Sequence, residues 1–291
     1  MLIQTNQLNA PQLTKLDGLI AECKMKDHNT LPVYKHILSQ QRDKPYNILF
    51  YHQQHLVGFM SVFFFYETAC EIILMVAPAF RQQGIASTLI AKMIPLLKAY
   101  SLDSLLFPVA QGLNLSQHWM LSHGFHYQHS EYEMECMQRQ EISEQQNLLQ
   151  IRLAKESDLA FLCSIDNACF PQQHIDMAAR FHMLFSDKNY SIIIACLNNV
   201  PIGKAHIHWL ENSARLTDIA IIPMQQSRGF GRALIAYCIN YALKQGIPTM
   251  VLEVEANNQK ALELYINLGF TIINAYDYWS IPLDAFSEQF T

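Results

Sequence analysis

Hydrophobic positions in the C-terminal half of the chain alternate between strand-like and helix-like spacing. A short strand is predicted around Ile151 and Leu153, and Ser157–Asp158 is a typical N-cap before apolar residues at helical spacing. A long apolar run from 190 to 210 is divided by Asn198–Asn199, a dipeptide typical of a hairpin turn. This region therefore begins with a strand, a helix and a strand pair.

The rest of this half continues the alternation of strands and helices. A strand at 215–223 leads into a glycine-containing loop, and a helix at 232–246 ends at Gly246. A strand at 248–256, a helix at 258–269 and a last strand at 270–283 follow. The pattern predicts an α/β fold with a mixed, largely antiparallel sheet flanked by helices. One face of the helix at 232–246 carries Leu234, Tyr237, Cys238 and Tyr241.

The same landmarks occur twice in the chain at a constant separation of 145 residues. A single offset held across a strand, a glycine loop and a terminal Gly-Phe pair indicates duplication of one domain. We predict an N-terminal domain at 1–138, a polar linker at 139–147 and a C-terminal domain at 148–291. The matched landmarks are Gly58 with Gly203, Pro78 with Pro223, Gly84 with Gly229, and Gly124–Phe125 with Gly269–Phe270.

The loop between the strand and the helix of the second copy has the composition of an anion site. Gly229 and Gly231 lack a Cβ that would keep a phosphate oxygen from the backbone, and Arg228 and Arg232 add positive charge. A Walker loop needs Gly-Lys-Ser/Thr, and a dinucleotide-binding loop needs a third glycine where Leu234 stands. Neither nucleotide-binding class fits, and a glycine-rich turn with solvated arginines stays open as the alternative.

Composition excludes several classes of function. The net charge of −5 gives no basic footprint for nucleic acid, and the apolar runs are too short to span a membrane. Seven scattered cysteines without a C-x-x-C pair indicate neither a disulfide framework nor a zinc site. We expect a cytoplasmic protein without a metal. Histidines crowd the first copy at 118–129, and His206 and His208 alternate on a strand, but their spacing suits no ligand set.

The motifs resemble those of the GCN5-related N-acetyltransferase family. Its acyl-CoA signature, Gln/Arg-x-x-Gly-x-Gly/Ala, is met by the segments 226–231 and 81–86, so the resemblance covers both halves of the chain. The second half is most similar to the subgroup that acetylates protein N-terminal α-amines. A second family segment is met in the second copy by Asn258, Ala261, Leu264, Tyr265, Gly269 and Phe270.

This resemblance implies acetyl-CoA as the cofactor, with its pyrophosphate on the loop and its thioester beside the preceding strand. An N–H group of that strand, within 219–222, would stabilise the oxyanion of the tetrahedral intermediate. The implied cofactor-binding residues are Ile219, Ala220, Ile221, Gln226, Ser227, Arg228, Gly229, Phe230, Gly231, Arg232, Asn258, Ala261 and Tyr265.

Two side chains are implied as the proton-transfer groups. Amines are mostly protonated at neutral pH, so a base is needed, and Glu253 lies twelve residues before Tyr265, as in the α-amine subgroup. Tyr265 would supply a proton to the departing thiolate. Asp218, Glu71 of the first copy, or a water molecule stay open as alternatives for the base.

The first copy departs from the pattern at the chemical positions. Met120, Pro108 and Leu113 stand where the second copy has Tyr265, Glu253 and Asn258, and Pro95 is expected to interrupt the helix that starts near position 85. Two interpretations stay open for this copy: coenzyme A binding without chemistry, and a structural partner with an inherited loop. The residues of this second cofactor site would be Arg81, Gln82, Gln83, Gly84, Ile85 and Ala86.

The sequence thus predicts an acetyl-CoA-dependent N-acetyltransferase that acts on a primary amine of a small molecule or peptide. The alternatives are a non-catalytic coenzyme A sensor or scaffold of the same fold, and an acyltransferase for another acyl chain or acceptor. No nucleic acid or membrane partner is expected. The sequence leaves the acceptor and the choice between monomer and homodimer open.

Overall fold

The fold is described from a computed structural model covering residues 1–112, 114–143, 149–170 and 176–290. The predicted linker at 139–147 falls partly outside these ranges. Two compact units make up the chain, and neither is one continuous stretch. The first comprises Met1–Tyr132, Glu255–Asn257 and Asn274–Thr291, and the second comprises Glu133–Val254 and Asn258–Ile273. The boundaries at 138 and 148 therefore describe a repeat in the sequence, and they stay a prediction.

The first unit contains a mixed sheet with the strand order β1-β2-β3-β4-β5-β12. β4 and β5 are parallel, whereas the other pairs with a described register are antiparallel. Buried aliphatic and aromatic side chains from these strands and from the flanking helices form its core. Its elements are β1 (Leu2–Thr5), α1 (Ala10–Asp27), α2 (Lys35–Leu38), β2 (Asn47–His52), β3 (His55–Phe63), β4 (Ala69–Val76), α3 (Ile85–Leu97), β5 (Ser104–Ala110), α4 (Asn114–Ser122), β12 (Thr271–Pro282, from Asn274 on) and α9 (Leu283–Phe290).

The second unit repeats this arrangement, with the strand order β6-β11-β10-β9-β8-β7. β10 and β11 are parallel, and β7-β8-β9-β10 is an antiparallel meander. Helices α5 and α6 pack with β8 in one of its hydrophobic clusters. Its elements are β6 (His126–Met137, from Glu133 on), β7 (Leu149–Leu153), α5 (Leu159–Cys169), α6 (Met177–Ser186), β8 (Tyr190–Leu197), β9 (Val200–Trp209), β10 (Ala214–Ile221), α7 (Phe230–Lys244), β11 (Thr249–Glu255) and α8 (Gln259–Ile266).

Element bounds recur at the offset found in the sequence. Strands β4, β5 and β6 correspond to β10, β11 and β12 with both ends displaced by 145 residues. The mixed sheet flanked by helices confirms the predicted fold class. The last strand of the second repeat, β12, pairs with β5 of the first repeat. A sequence offset cannot show this exchange, because it reports similarity between segments and not which segments pair.

Several local predictions can be checked directly. Asn198 and Asn199 have φ angles of 51° and 64° between β8 and β9, as a two-residue type I′ turn requires. Helix α7 ends at Lys244, and Gly246 has a φ of 82°. The predicted interruption at Pro95 is wrong, because α3 continues to Leu97. Pro95 lies in the last turn, where a missing N–H removes one hydrogen bond without stopping the helix.

Candidate active site of the second unit

Strands β10 and β11 are joined only at their amino ends. The parallel ladder pairs Ala214 with Met250 and Arg215 with Val251, and no other pair joins these strands in the described residues. β10 then carries a bulge against β9 between Thr217 and Ala220. Asp218, inside this bulge, has a φ of 50°. A bulge bends its strand, so the carboxyl half of β10 diverges from β11 beyond the pair of Arg215 and Val251.

The glycine loop at the end of β10 is fixed by its first signature residue. The Gln226 side-chain amide donates to the Ile221 carbonyl at 2.9 Å, which closes the turn on the strand that it leaves. Ser227 and Gly229 have φ angles of 60° and 82°, and these turn the chain into α7. Within the described residues, the six backbone N–H groups from 227 to 232 have no acceptor. The loop therefore presents a row of donors at a helix start, where an anion is favoured.

Two arginines flank this row of donors. The Arg228 guanidinium donates to the Gln225 side chain and lies over the Phe230 ring, 5.2 Å from its centroid. Arg232 donates to the carbonyl of Asn267, beyond the end of α8, at 3.1 Å. Both cations thus lie beside the N–H groups and add to the positive potential of the helix terminus.

The end of β10 presents one backbone N–H away from β9. The Ile222 N–H donates to the Ile202 carbonyl on the β9 side at 2.9 Å. Backbone groups alternate in direction along a strand, and the Ile221 N–H therefore faces the opposite edge, toward the gap between β10 and β11. Ile221 lies within the range 219–222 in which an oxyanion donor was predicted, and that role stays a prediction.

Tyr265 lies on α8 with its side chain almost entirely buried. Its exposure is 7%, and its ring packs edge-on against Phe270 with the centroids 5.8 Å apart. Burial raises the pKa of the Tyr265 hydroxyl to about 12, so it keeps its proton at neutral pH. Within the described residues the hydroxyl makes no hydrogen bond, which leaves it able to donate to a ligand. At the start of α8, Asn258 accepts a hydrogen bond from the Ala261 N–H at 3.2 Å and caps the helix.

Glu253 is not a solitary carboxylate. The Arg215 guanidinium contacts it at 2.8 Å and also donates to Glu133 at 3.1 Å. Glu253 and Arg215 are 31% and 26% exposed, so solvent screens this contact substantially. Arg215 belongs to the last pair of the ladder between β10 and β11, and Glu253 lies two residues beyond Val251, its partner in that pair. A proton acceptor at Glu253 would therefore work beside a fixed positive charge.

A buried ionic cluster on the opposite side of β10 was missed by the sequence analysis as a unit. Lys204 on β9 and Asp166 on α5 form an ion pair at 2.8 Å, with exposures of 0% and 2%. Lys204 also donates to the backbone carbonyl of Asp218 at 3.3 Å. A lysine on the buried side of a predicted strand was the available signal, because such a charge needs a partner.

Asp218 itself is held by two further side chains. Arg180 on α6 donates to both carboxylate oxygens at 3.1 Å and 3.0 Å, and the His206 ring nitrogen lies 3.3 Å from the carboxylate. Burial acts to raise the pKa of Asp218, but the contacts with His206, Lys204 and Arg180 together lower it well below its usual value. Burial lowers the pKa of His206, against the opposing effect of the nearby Asp218 carboxylate. Asp218 stays ionised, with Arg180 along both of its oxygens.

The first unit has the loop but not the proton-transfer groups. The Arg81 Nε donates to the Val76 carbonyl at 3.0 Å, which is the role of Gln226 in the second unit, and its other nitrogens contact the buried Asp27 at 2.8 Å and 2.5 Å. The six N–H groups from 82 to 87 have no acceptor within the described residues. Met120 and Pro108 lie in the structural positions of Tyr265 and Glu253, whereas position 113 lies outside the described ranges.

The alternative base Glu71 and the histidine cluster of the first repeat make contacts within the fold. Glu71 is buried in the first unit, where Tyr34 donates to it at 2.9 Å and Tyr278 at 3.3 Å. His123 stacks on Trp119 with centroids 4.2 Å apart. In the described part of the chain, no group of three or more His, Cys, Asp and Glu side chains could hold a metal ion. None of the helices in these ranges combines the length and the apolar character that crossing a membrane requires.

Comparison with known proteins shows which family the chain is similar to. The model of the acetyltransferase (GNAT) family matches residues 13–125 and 159–270. The [ribosomal protein bS18]-alanine N-acetyltransferase of Escherichia coli K12 is 44% identical over 59 residues, which are 20% of this chain and 40% of that protein. The mycothiol acetyltransferase of Renibacterium salmoninarum is 38% identical over 64 residues, which are 22% of this chain and 19% of that protein. The chain thus spans less than half the length of these relatives.

Two solved structures share the fold along nearly the whole chain. A GCN5-related N-acetyltransferase from Sphaerobacter thermophilus superposes with a TM-score of 0.81 at 13% identity, covering 97% of this chain and 96% of that one. A tandem GNAT protein from the clavulanic acid biosynthesis pathway, without AcCoA, gives 0.72 at 12% identity, covering 97% and 98%. With both repeats matched by the family model, the chain belongs to the acetyltransferase (GNAT) family.

Proposed function

We propose that the second unit transfers the acetyl group of acetyl-CoA to a primary amine of a small molecule or peptide. The observation that carries this proposal is the row of unpaired N–H groups at 227–232, next to the gap between β10 and β11. Such a row fits a diphosphate, and the gap fits the extended thioester arm of the donor. The relative named for acetylating an alanine of ribosomal protein bS18 supports an amine acceptor.

The proposed reaction combines one acyl transfer with proton transfers at nitrogen and at sulfur. Glu253, directly or through water, takes a first proton from the acceptor ammonium and passes it to solvent, and the free amine attacks the thioester carbon. The Ile221 N–H donates to the carbonyl oxygen as it becomes negative. When the intermediate collapses, the C–S bond breaks and Tyr265 gives its proton to sulfur. The second proton of the attacking nitrogen passes through water to the tyrosinate, so Tyr265 is restored and each amide formed releases one proton to solvent.

Tyr265 can act as the acid only if the site also raises the pKa of the thiol. A free thiol has a pKa of about 8.5, so transfer from a tyrosine near 12 is uphill by about 5 kcal/mol. The burial that raises the pKa of Tyr265 would act in the same direction on a thiolate in the gap. The two groups therefore become better matched when the donor fills the site and excludes water.

Glu253 is favoured over Asp218 as the base. Arg180 contacts both oxygens of Asp218, which lowers its pKa and makes it a weak proton acceptor. Glu253 is more exposed, at 31% against 17%, and lies on β11 beside the gap. Arg215, at 2.8 Å from Glu253, would hold the carboxylate in place.

Two other functions are compatible with the same glycine loop and gap. A coenzyme A sensor or scaffold would bind the donor without turnover, and an acyltransferase of another type would use a different acyl chain or acceptor.

We place the activity in the cytoplasm, in keeping with seven cysteines that are all free thiols.

The test is thiol release from acetyl-CoA in the presence of a panel of primary amines, including small polyamines and peptides with free N-terminal alanine. Sustained release that depends on the amine, together with an acetylated product detected by mass spectrometry, is the expected result. Tight binding of acetyl-CoA without release by any amine would support the sensor and reject the enzyme. Release with a longer acyl-CoA but not with acetyl-CoA would identify another acyltransferase.

A further inference from the structure

A cavity of about 440 Å³ lies within the first unit, between β4 and β5. The parallel ladder between these strands runs from Ala69–Ser104 to Glu71–Leu106, and the cavity walls begin three residues later on β4 and one residue later on β5. This is the counterpart of the gap between β10 and β11. Its volume falls within the range of about 300–1,000 Å³ that is typical of small-molecule sites.

One end of the cavity reaches the glycine loop. Arg81, Gln82, Ala86 and Ser87 contribute to its lining, and the six unpaired N–H groups at 82–87 lie on the same loop. The Arg81 guanidinium donates hydrogen bonds to Asp27 and to the backbone at the end of β4, so its role is to hold the loop in place. An anion here would be held by backbone N–H groups and by the helix terminus.

The other end of the cavity is closed by apolar side chains. Met120 stands where the second unit has Tyr265, and Trp119 and Phe125 lie next to it in the lining. Helix α9 adds Phe286 and Phe290; Phe290 packs 5.9 Å from Trp119 and Phe286 packs 6.3 Å from Phe125. At the 145-residue offset, α9 corresponds to the polar segment after β6. The apolar wall that α9 adds to the first unit's cavity is therefore not a feature that the two repeats share.

We infer that the first unit binds an acyl-CoA with an acyl chain longer than acetyl and holds it without turnover. The phosphates would lie on the loop at 82–87, and the chain would extend into the apolar end between Met120 and α9. With methionine and proline in the places of the tyrosine and the glutamate, neither proton transfer can take place. The inference uses no residue of the second unit, so it can fail while the proposed acetyltransferase activity stands, and the reverse.

The test uses the full-length Gly231→Asp variant, in which the second unit's loop is expected to bind CoA compounds about 30- to 150-fold more weakly. Coenzyme A, acetyl-CoA, octanoyl-CoA and free octanoate are titrated by calorimetry. Each methylene that becomes buried is worth about fourfold in affinity, so burying half of the six additional methylenes would make octanoyl-CoA bind about 60-fold tighter than acetyl-CoA. Equal affinity for acetyl-CoA and octanoyl-CoA would overturn the inference, as would binding of neither.

Three variants in the same background separate the two ends of the cavity. Ala86→Asp places a carboxylate on the loop and is expected to weaken every CoA compound by at least tenfold. Val109→Trp fills the cavity from β5 and is expected to remove the preference for octanoyl-CoA while coenzyme A affinity stays within threefold. Val200→Trp, at an exposed position of the second unit, is the control for added bulk and should change neither.

Two further results would contradict the assignment. Octanoate binding as tightly as octanoyl-CoA would show that the loop contributes nothing and that the ligand carries no phosphate. A preference for octanoyl-CoA that survives Val109→Trp in a protein with parental melting temperature would place the chain elsewhere. The chain-length series itself needs no substitution in the first unit, so it decides the matter independently of how those variants fold.

Discussion

Replacing Gly231 with aspartate tests the loop by charge rather than by shape. A Cβ built on Gly231 meets only Leu264 Cδ2, at 3.5 Å, which is an ordinary contact, and its φ lies outside the left-handed region. Alanine and aspartate should therefore fold there. A carboxylate about 5 Å from each of two phosphate charges repels them by about 2–3 kcal/mol in total at effective dielectric constants of about 40–80. This corresponds to a loss of about 30- to 150-fold in acetyl-CoA affinity.

The matched control is Gly231→Ala, because the first repeat carries Ala86 at this place. Calorimetric titration with acetyl-CoA should show alanine within threefold of the parent and aspartate weakened, with the difference shrinking at 0.5 M salt as screening increases. The number of acetyl-CoA molecules bound per chain in the titration distinguishes the second unit's site from any site in the first unit. Equal losses in the two variants would mean that bulk and not charge matters, and parental affinity in Gly231→Asp would reject the loop as the phosphate site.

Four further substitutions test the chemistry and the backbone. Tyr265→Phe keeps the ring packing but removes the hydroxyl proton, so turnover should fall by about 10²–10⁴-fold with acetyl-CoA affinity little changed. Because burial raises the pKa of Tyr265 to about 12, deprotonation of this hydroxyl should cause no loss of activity in the parent protein below about pH 10. Glu253→Gln should lower turnover and shift the pH that turnover requires upward, to where the acceptor amine deprotonates unaided. Arg215→Gln should change turnover less. Parental turnover in Glu253→Gln would leave Asp218 or water as the base. Gly203→Ala would place a Cβ 2.4 Å from Ile221 Cδ1 and 2.7 Å from the Ala220 carbonyl, so acetyl-CoA affinity should fall with the distortion of β10, and an unchanged affinity would show that this strand does not position the donor.

The sequence predicted the elements around the loop because their signals are local. Two glycines at a helix start, a paired asparagine turn and apolar periodicity each depend on a few neighbouring residues. The structure confirms Asn198–Asn199 as a hairpin turn and Gly246 as a helix stop. The duplication was visible for the same reason, since every landmark of the first repeat recurs in the second at one offset.

What the sequence could not show depends on long-range pairing. The contact between Arg215 and Glu253 joins two strands, and nothing in either segment predicts that the proposed base has a cationic neighbour. The location of α9 in the first unit follows from the strand exchange of β12, which periodicity cannot report. Pro95 was misjudged because a proline near the end of a helix has few hydrogen bonds left to break.

The buried pair of Lys204 and Asp166 is linked to the bulge in β10 by a hydrogen bond. Two charges with exposures of 0% and 2% are tolerated in a protein interior only when each satisfies the other, and removing one partner typically costs about 3–5 kcal/mol. Lys204 also donates to the carbonyl of Asp218 at 3.3 Å, so its position and that of the bulge are determined together. Asp218, which receives this hydrogen bond inside the bulge, precedes Ile221 by three residues, so we expect loss of the charge pair to disturb the strand that carries the proposed oxyanion donor.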